Sequence, residues 1–264
     1  MSLFKKISPL EKEYQKLIKE EQKYILKNQE EKENFLNKAL ADKVPPKLQS
    51  TLEAAFIKAF KLIFSRGKSA IELTYNKEKL ENEFKLRDFS GEVKKDRKSL
   101  KEFSKKARNQ DSLNLFMSGV SGVGMGILGI GIPDIPVFTG MILRDIYETS
   151  INFGFLYDSE KERFFILNII KGAISCGDEL CKIDLCLNKF IETETLSDDY
   201  NEEKEIESTA ALLSDALLYM KFLQGIPIAG AVGGFYDIIY MKHIAKYSSL
   251  KYKKRYLTRK MVKG

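Results

Sequence analysis

Residues 112–133 read SLNLFMSGVSGVGMGILGIGIP, a run of 22 residues without a charged side chain. As a helix, the run is long enough to span about 30 Å of hydrocarbon, but it contains six glycines. Each glycine costs a water-exposed helix roughly 1 kcal/mol relative to alanine. Four of them are spaced three or four residues apart: Gly119, Gly122, Gly126 and Gly129. This spacing gives a smooth stripe for close backbone packing, so we favour a buried or shallowly inserted hairpin over a membrane span.

A second uncharged segment, residues 222–236, repeats this composition in the 15 residues FLQGIPIAGAVGGFY. It is too short to cross a bilayer as one helix, but long enough for half of a hairpin. Gly131-Ile132-Pro133 matches Gly225-Ile226-Pro227, which indicates two related hairpins. The residues assigned to these hairpins, for packing or for membrane contact, are Gly119, Gly122, Gly126, Gly129, Pro133, Pro136, Gly225, Pro227, Gly230 and Gly234.

A polar stripe follows the first segment, on a helix predicted from Val137 to about Phe153. Arg144 and Glu148 have the spacing of an ion pair on one helix face. The candidate polar cluster consists of Asp134, Arg144, Asp145, Glu148 and Asp237. Asp134 is a candidate helix cap as well as a candidate functional carboxylate, because Pro136 favours a first helical turn. A solvent-facing stripe, a buried ion-pair network and a ligand site all remain open.

The rest of the chain has the pattern of amphipathic helices, which predicts an all-α helical bundle. Residues 1–46 form a charged N-terminal helical arm that stops at Pro45-Pro46. Residues 47–264 form the helical domain, beginning with a helix over about 48–75. Ser159-Glu160-Lys161-Glu162 is a capping box that opens a further helix.

Charge is distributed unevenly near the end of the chain. The net charge is +7, and residues 242–264 hold nine Lys or Arg without an acidic residue. We expect this basic C-terminal tail to contact an anionic lipid surface, where each cation contributes up to about 1 kcal/mol. The expected contact residues are Lys251, Lys253, Lys254, Arg255, Arg259 and Lys260. The acidic stretch 192–207 is predicted to be a solvated loop, with docking on the basic tail as the alternative.

The inventory of reactive side chains disfavours several classes of chemistry. The single histidine, His243, lies in the basic tail, and GVGMGILG lacks the lysine of a phosphate-binding loop. Three cysteines at five-residue spacing, Cys176, Cys181 and Cys186, do not converge on a helix. We therefore expect no cofactor, no metal and no catalytic residue. The N-terminal sequence lacks the apolar core of a signal peptide, which favours a cytoplasmic location.

The motifs on either side of the glycine-rich segments resemble those of the EcsC family of bacterial proteins. The matching stretches are Gly131-Ile132-Pro133-Asp134-Ile135-Pro136, Leu143-Arg144-Asp145-Ile146, Phe153-Gly154-Phe155, Lys221-Phe222-Leu223-Gln224-Gly225-Ile226-Pro227 and Arg255-Tyr256-Leu257. They cover roughly the C-terminal two thirds of the chain. The family usually has tyrosines where this chain has Phe153 and Phe155. The resemblance implies a helical protein named for a partner gene of an ABC transporter, and it supplies no reaction.

These features favour a non-enzymatic protein that docks on the cytoplasmic leaflet through its glycine-rich hairpins and basic tail. Its expected partner is an anionic lipid surface, with a membrane transport system or a second copy of the chain as further candidates. One alternative is a stored pore-forming or membrane-disrupting effector that uses the same hairpins. An enzyme built on the Asp/Arg polar cluster is a further alternative, and nucleic-acid binding by the basic tail is disfavoured because no reader motif accompanies it.

Overall fold

The computed structural model describes residues 7–29, 46–94, 134–223 and 235–263, and every regular element within these ranges is helical. The helices are α1 (Pro9–Lys27), α2 (Pro46–Leu62), α3 (Lys68–Glu72), α4 (Lys77–Lys94), α5 (Asp134–Asn152), α6 (Glu160–Ile174), α7 (Gly177–Thr193), α8 (Glu202–Leu223) and α9 (Phe235–Lys263). A π-helical turn, Ile63–Gly67, joins α2 to α3. The predicted all-α class is confirmed. The first glycine-rich segment and most of the second lie outside the described residues.

Local sequence signals explain where two of the helices begin. At α1 the Ser8 hydroxyl accepts from the Glu11 N–H, and the Glu11 carboxylate accepts from the Ser8 N–H at 2.7 Å, with Pro9 in the first turn. At α6 the Ser159 hydroxyl accepts from the Glu162 N–H, as the sequence predicts. These caps satisfy backbone donors that a helix terminus leaves unpaired.

Helix α6 forms the centre of the bundle. Every residue from Phe164 to Ala173 is buried, which is the pattern of a helix covered on all sides. Helices α7, α8 and α9 pack around it, and α2 packs against α8 and α5. Helix α1 packs on α9 and α4 on α5, so the N-terminal helix lies against the bundle.

The ends of three helices meet at one end of the bundle. Helix α8 runs antiparallel to α2, because Lys61 pairs with Glu203 whereas Gln49 donates to Asp215. The Tyr240 hydroxyl donates to the Ala216 carbonyl at 2.9 Å, which places the start of α9 beside the later turns of α8. Helix α5 runs in the same direction as α2. Near its start, Phe138 contacts Phe56 of α2. Further along α5, Tyr147 stacks on Tyr157, whose hydroxyl contacts that of Tyr75, a residue that follows α2 and α3 in the chain. Residues 134, 223 and 235, which adjoin the glycine-rich segments, therefore lie at the same end.

Candidate functional site

The predicted polar cluster is brought together in part. Arg144 Nε donates to Glu148 Oε1 at 2.8 Å across one turn of α5, and Glu148 and Asp145 are buried. The side chains of Asp134 and Asp237 lie outside the described part of the structure. The ion pair that the spacing of Arg144 and Glu148 predicts is therefore present.

A tyrosine cluster that sequence reasoning missed lies at the other end of α5. The Tyr157 hydroxyl donates to Glu72 Oε1 and contacts the Tyr75 hydroxyl, both at 2.6 Å. The Tyr147 ring stacks on Tyr157 with centroids 4.0 Å apart, and Lys77 donates to Glu72 at 2.9 Å. Burial and the adjacent carboxylate raise the pKa of Tyr157, so its hydroxyl stays a donor. Glu72, Tyr75 and Lys77 precede Tyr147 and Tyr157 by 70 positions or more in the sequence. No local sequence pattern therefore predicts their contact.

A cleft of about 500 Å³ lies beside the π-helical turn. It is lined by Lys61, Phe64, Ser65, Arg163, Glu202, Glu203 and Ile206. Lys61 pairs with Glu203, and Arg163 donates to both carboxylate oxygens of Glu202 at 2.9 Å. The charged groups of this cleft therefore neutralise one another.

Helix α9 holds the largest concentration of buried charge in the described residues, and four of the predicted lipid contacts, Lys251, Lys253, Lys254 and Arg255, belong to it. Residues 251–257 are all buried. Because α9 has no acidic residue after Asp237, its cations are neutralised by carboxylates from other elements. The described ion pairs are Lys251 with Glu21 and Asp184 at 2.5 Å each, Lys253 with Glu13 at 2.7 Å, and Lys254 with Glu21 at 2.5 Å.

Arg255 has the most extensive contacts of these cations. Its Nη1 donates to Glu162 at 2.7 Å, while Nε and Nη2 donate to the two carboxylate oxygens of Glu194 at 2.6 Å. Its guanidinium lies 4.3 Å from the ring centre of Phe155. Burial raises the pKa of Glu162, and the Arg255 charge and a 2.6 Å hydrogen bond from Tyr252 oppose that rise.

The contact between Arg255 and Glu194 distinguishes the two interpretations of the acidic stretch, a solvated loop and a segment docked on the basic tail. Glu194 belongs to residues 192–207, so at this residue the alternative holds: the acidic stretch docks on the basic segment. Only part of the stretch is a loop, since α7 ends at Thr193 and α8 begins at Glu202.

The last two predicted lipid contacts are half-buried rather than fully exposed. Arg259 lies over the Phe155 ring at 4.4 Å, and Lys260 pairs with Asp88 of α4 at 2.8 Å. None of the six cations assigned to a lipid surface is therefore exposed in this conformation. Charges on every face of a helix are typical of a solvated helix, so the sequence pattern does not indicate this burial.

The described residues contain neither a metal-binding cluster nor a membrane-spanning helix. No group of three or more histidine, cysteine, aspartate or glutamate side chains there is arranged to hold a metal ion. Among the same residues, none of the helices combines the length and the apolar character that crossing a membrane requires.

Comparison with known proteins gives one match. The sequence model of the EcsC protein family matches residues 10–257, which is nearly the whole chain. The match extends from α1 to α9 and is wider than the stretches that carry the motif resemblance. No curated protein and no solved structure matches the chain.

Proposed function

This chain belongs to the EcsC protein family, and we propose that it is a non-enzymatic protein that docks on the cytoplasmic leaflet of a membrane. The docking elements are the two glycine-rich apolar segments, residues 112–133 and 222–236. Lys251, Lys253, Lys254 and Arg255 of α9 are not part of the docking surface in this conformation, because they are buried in ion pairs.

The observation that carries the proposal is the shared position of the helix ends that adjoin the two segments. The segments adjoin the bundle at residues 134, 223 and 235, which lie at one end of it. Two uncharged segments that start from the same end can enter one lipid surface together, whereas segments at opposite ends cannot. Their glycine spacing suits close helix association in lipid, so a membrane transport protein or a second copy of the chain is a candidate partner.

The pairing of charges in the bundle supports a non-enzymatic role. Lys251, Lys253, Lys254 and Arg255 bind carboxylates, and Arg163 and Lys61 are paired in the cleft. An active site usually holds titratable groups poised for proton transfer or nucleophilic attack. In the described residues these cations serve instead to hold helices together.

Flotation with lipid vesicles tests the proposal. We expect the purified protein to float with phosphatidylglycerol-containing vesicles at low salt and in about 1 M potassium chloride, where the Debye length falls to about 3 Å. Binding through apolar segments survives this screening, whereas peripheral electrostatic binding does not. Absence of flotation in both salts would contradict the proposal.

Charged substitutions in the segments identify the docking elements. We expect Ile127→Asp/Ile228→Asp to abolish flotation at high salt, since an aspartate within hydrocarbon costs about 2.5–3.5 kcal/mol. The matched control is Leu73→Asp/Leu185→Asp, which adds the same charge at side chains that are 89% and 69% exposed. Equal loss in both variants would contradict the assignment. Release of a trapped dye by the wild type would favour the pore-forming alternative.

A further inference from the structure

The packed face of α1 combines two buried glutamates with Leu17 and with three partly buried apolar side chains, Leu10, Tyr14 and Tyr24. Its buried residues are Glu13, Leu17 and Glu21, spaced four apart on one side of the helix. Leu17 is the fully buried apolar residue of this face, and Tyr24 adds a ring stack on Tyr247 with centroids 5.1 Å apart. The cost of removing two charges from water offsets much of the attraction in a buried ion pair. A helix face that contains such pairs therefore binds less firmly than an apolar face of equal size.

The α9 surface beneath α1 contains three lysines as well as Tyr247. Glu13 forms an ion pair with Lys253. Glu21 pairs with both Lys251 and Lys254, at 2.5 Å from each. Without α1, Lys251 keeps Asp184, while Lys253 and Lys254 have no other carboxylate within ion-pair distance among the described residues. Departure of α1 would therefore leave a basic patch on α9.

We propose that α1 is an intramolecular cover for this patch, here called the α9 lysine patch (Lys251, Lys253 and Lys254), and that anionic phospholipid headgroups are the partner that replaces its glutamates. The carboxylates of α1 occupy the positions that lipid phosphates would take. The proposal extends the membrane docking proposed above, on which it rests, by adding a regulated electrostatic contact to the apolar one. An anionic surface suits the patch because it presents many negative charges to several lysines at once.

Loosening the cover tests this proposal. We expect Glu13→Gln/Glu21→Gln to raise partitioning onto phosphatidylglycerol vesicles at low salt by about tenfold. Pure phosphatidylcholine vesicles should show no gain. The matched control, Glu78→Gln/Glu192→Gln, removes two exposed acids of the same charge and should behave as wild type. Adding Lys253→Gln/Lys254→Gln to the loosened variant should cancel the gain.

The same substitutions in the Ile127→Asp/Ile228→Asp background separate the two proposals. There the loosened variant should still gain binding at low salt, because the patch acts without the apolar segments. If the loosened variant gains binding to phosphatidylglycerol vesicles in this background while the wild-type protein does not float, only the proposed docking through the segments is overturned. No gain in either background, or an equal gain in the control, would overturn the cover.

A fluorescence measurement follows α1 itself. The chain has no tryptophan, so Tyr24→Trp places a single reporter in the stack against Tyr247. We expect its emission to change on addition of phosphatidylglycerol vesicles, and to stay constant with phosphatidylcholine vesicles or inorganic phosphate. Constant emission while the protein floats on phosphatidylglycerol vesicles would overturn the proposal, because α1 would then remain in place on the bound protein.

Discussion

Replacing Arg255 with methionine is expected to lower the free energy of unfolding by about 3–5 kcal/mol at pH 7, since it leaves a buried carboxylate without its counter-charge. Glu162 is buried and accepts from Arg255 and Tyr252, so the variant keeps only the tyrosine donor. Methionine preserves much of the packing against Phe155, which isolates the charge from the loss of volume. Urea denaturation measures the difference.

The loss of stability in Arg255→Met should be smaller at acidic pH than at pH 7. Burial raises the pKa of Glu162 in the folded protein, and Arg255 opposes that rise. A carboxyl with a raised folded pKa favours folding below its unfolded pKa of about 4.3, and this contribution is lost as pH rises through the folded value. Without Arg255 the folded pKa rises further, so the deficit of the variant is largest near pH 7 and shrinks on acidification.

Two controls separate charge from packing at Arg255. The double variant Arg255→Met/Glu162→Gln should recover part of the lost stability, because neither partner is then a buried charge. Lys260→Met removes a cation that pairs with Asp88 at a partly exposed position and should cost about 1 kcal/mol or less. A small, pH-independent deficit in Arg255→Met would contradict this account of the pair.

Replacing Gly154 with alanine is expected to lower the free energy of unfolding by about 2–4 kcal/mol, from backbone strain and overpacking together. Gly154 adopts φ +79° in the turn between α5 and α6, a region that side-chain-bearing residues rarely adopt. A methyl group built there would overlap the ring of Phe84 in α4. Thermal and urea denaturation of the two proteins would give the difference.

Gly140 provides the matched control for that substitution. It lies within α5, and a methyl group built there meets nothing within 4 Å. Gly140→Ala should therefore raise stability by about 0.5–1 kcal/mol, the usual preference for alanine inside a helix. If Gly154→Ala were as well tolerated as Gly140→Ala, the close packing of α4 on the α5–α6 turn would be wrong.

The sequence was sufficient to predict the features that depend on local pattern. The helical class, the Ser159 cap of α6 and the spacing of Arg144 with Glu148 all involve residues within four positions of one another. Helix periodicity and capping operate over this range, so a single sequence contains the required information. The membrane contact of the glycine-rich segments stays a prediction, since both segments lie largely outside the described residues.

The burial of α9 could not be read from the same pattern. A run of lysines and arginines looks identical whether it faces water or buried carboxylates, and the partners here are distant in sequence. Glu13 is 240 residues from Lys253, and Glu162 is 93 residues from Arg255. The tyrosine cluster shows the same limitation, with Glu72 and Tyr157 85 residues apart. The absence of acids after Asp237 does not distinguish the two cases, because it is equally compatible with cations that face water.

The central claim is that the first glycine-rich segment enters the membrane, and fluorescence quenching by lipid tests it most directly. Leu128→Trp places the only tryptophan of the chain in that segment, and vesicles with brominated acyl chains quench tryptophan within the bilayer. Leu185→Trp, at an exposed position on α7, is the control on the body of the protein. We expect strong quenching of the tryptophan at position 128 and little at position 185. Equal, weak quenching at both positions, with the protein bound to the vesicles, would show that the segment does not enter the membrane.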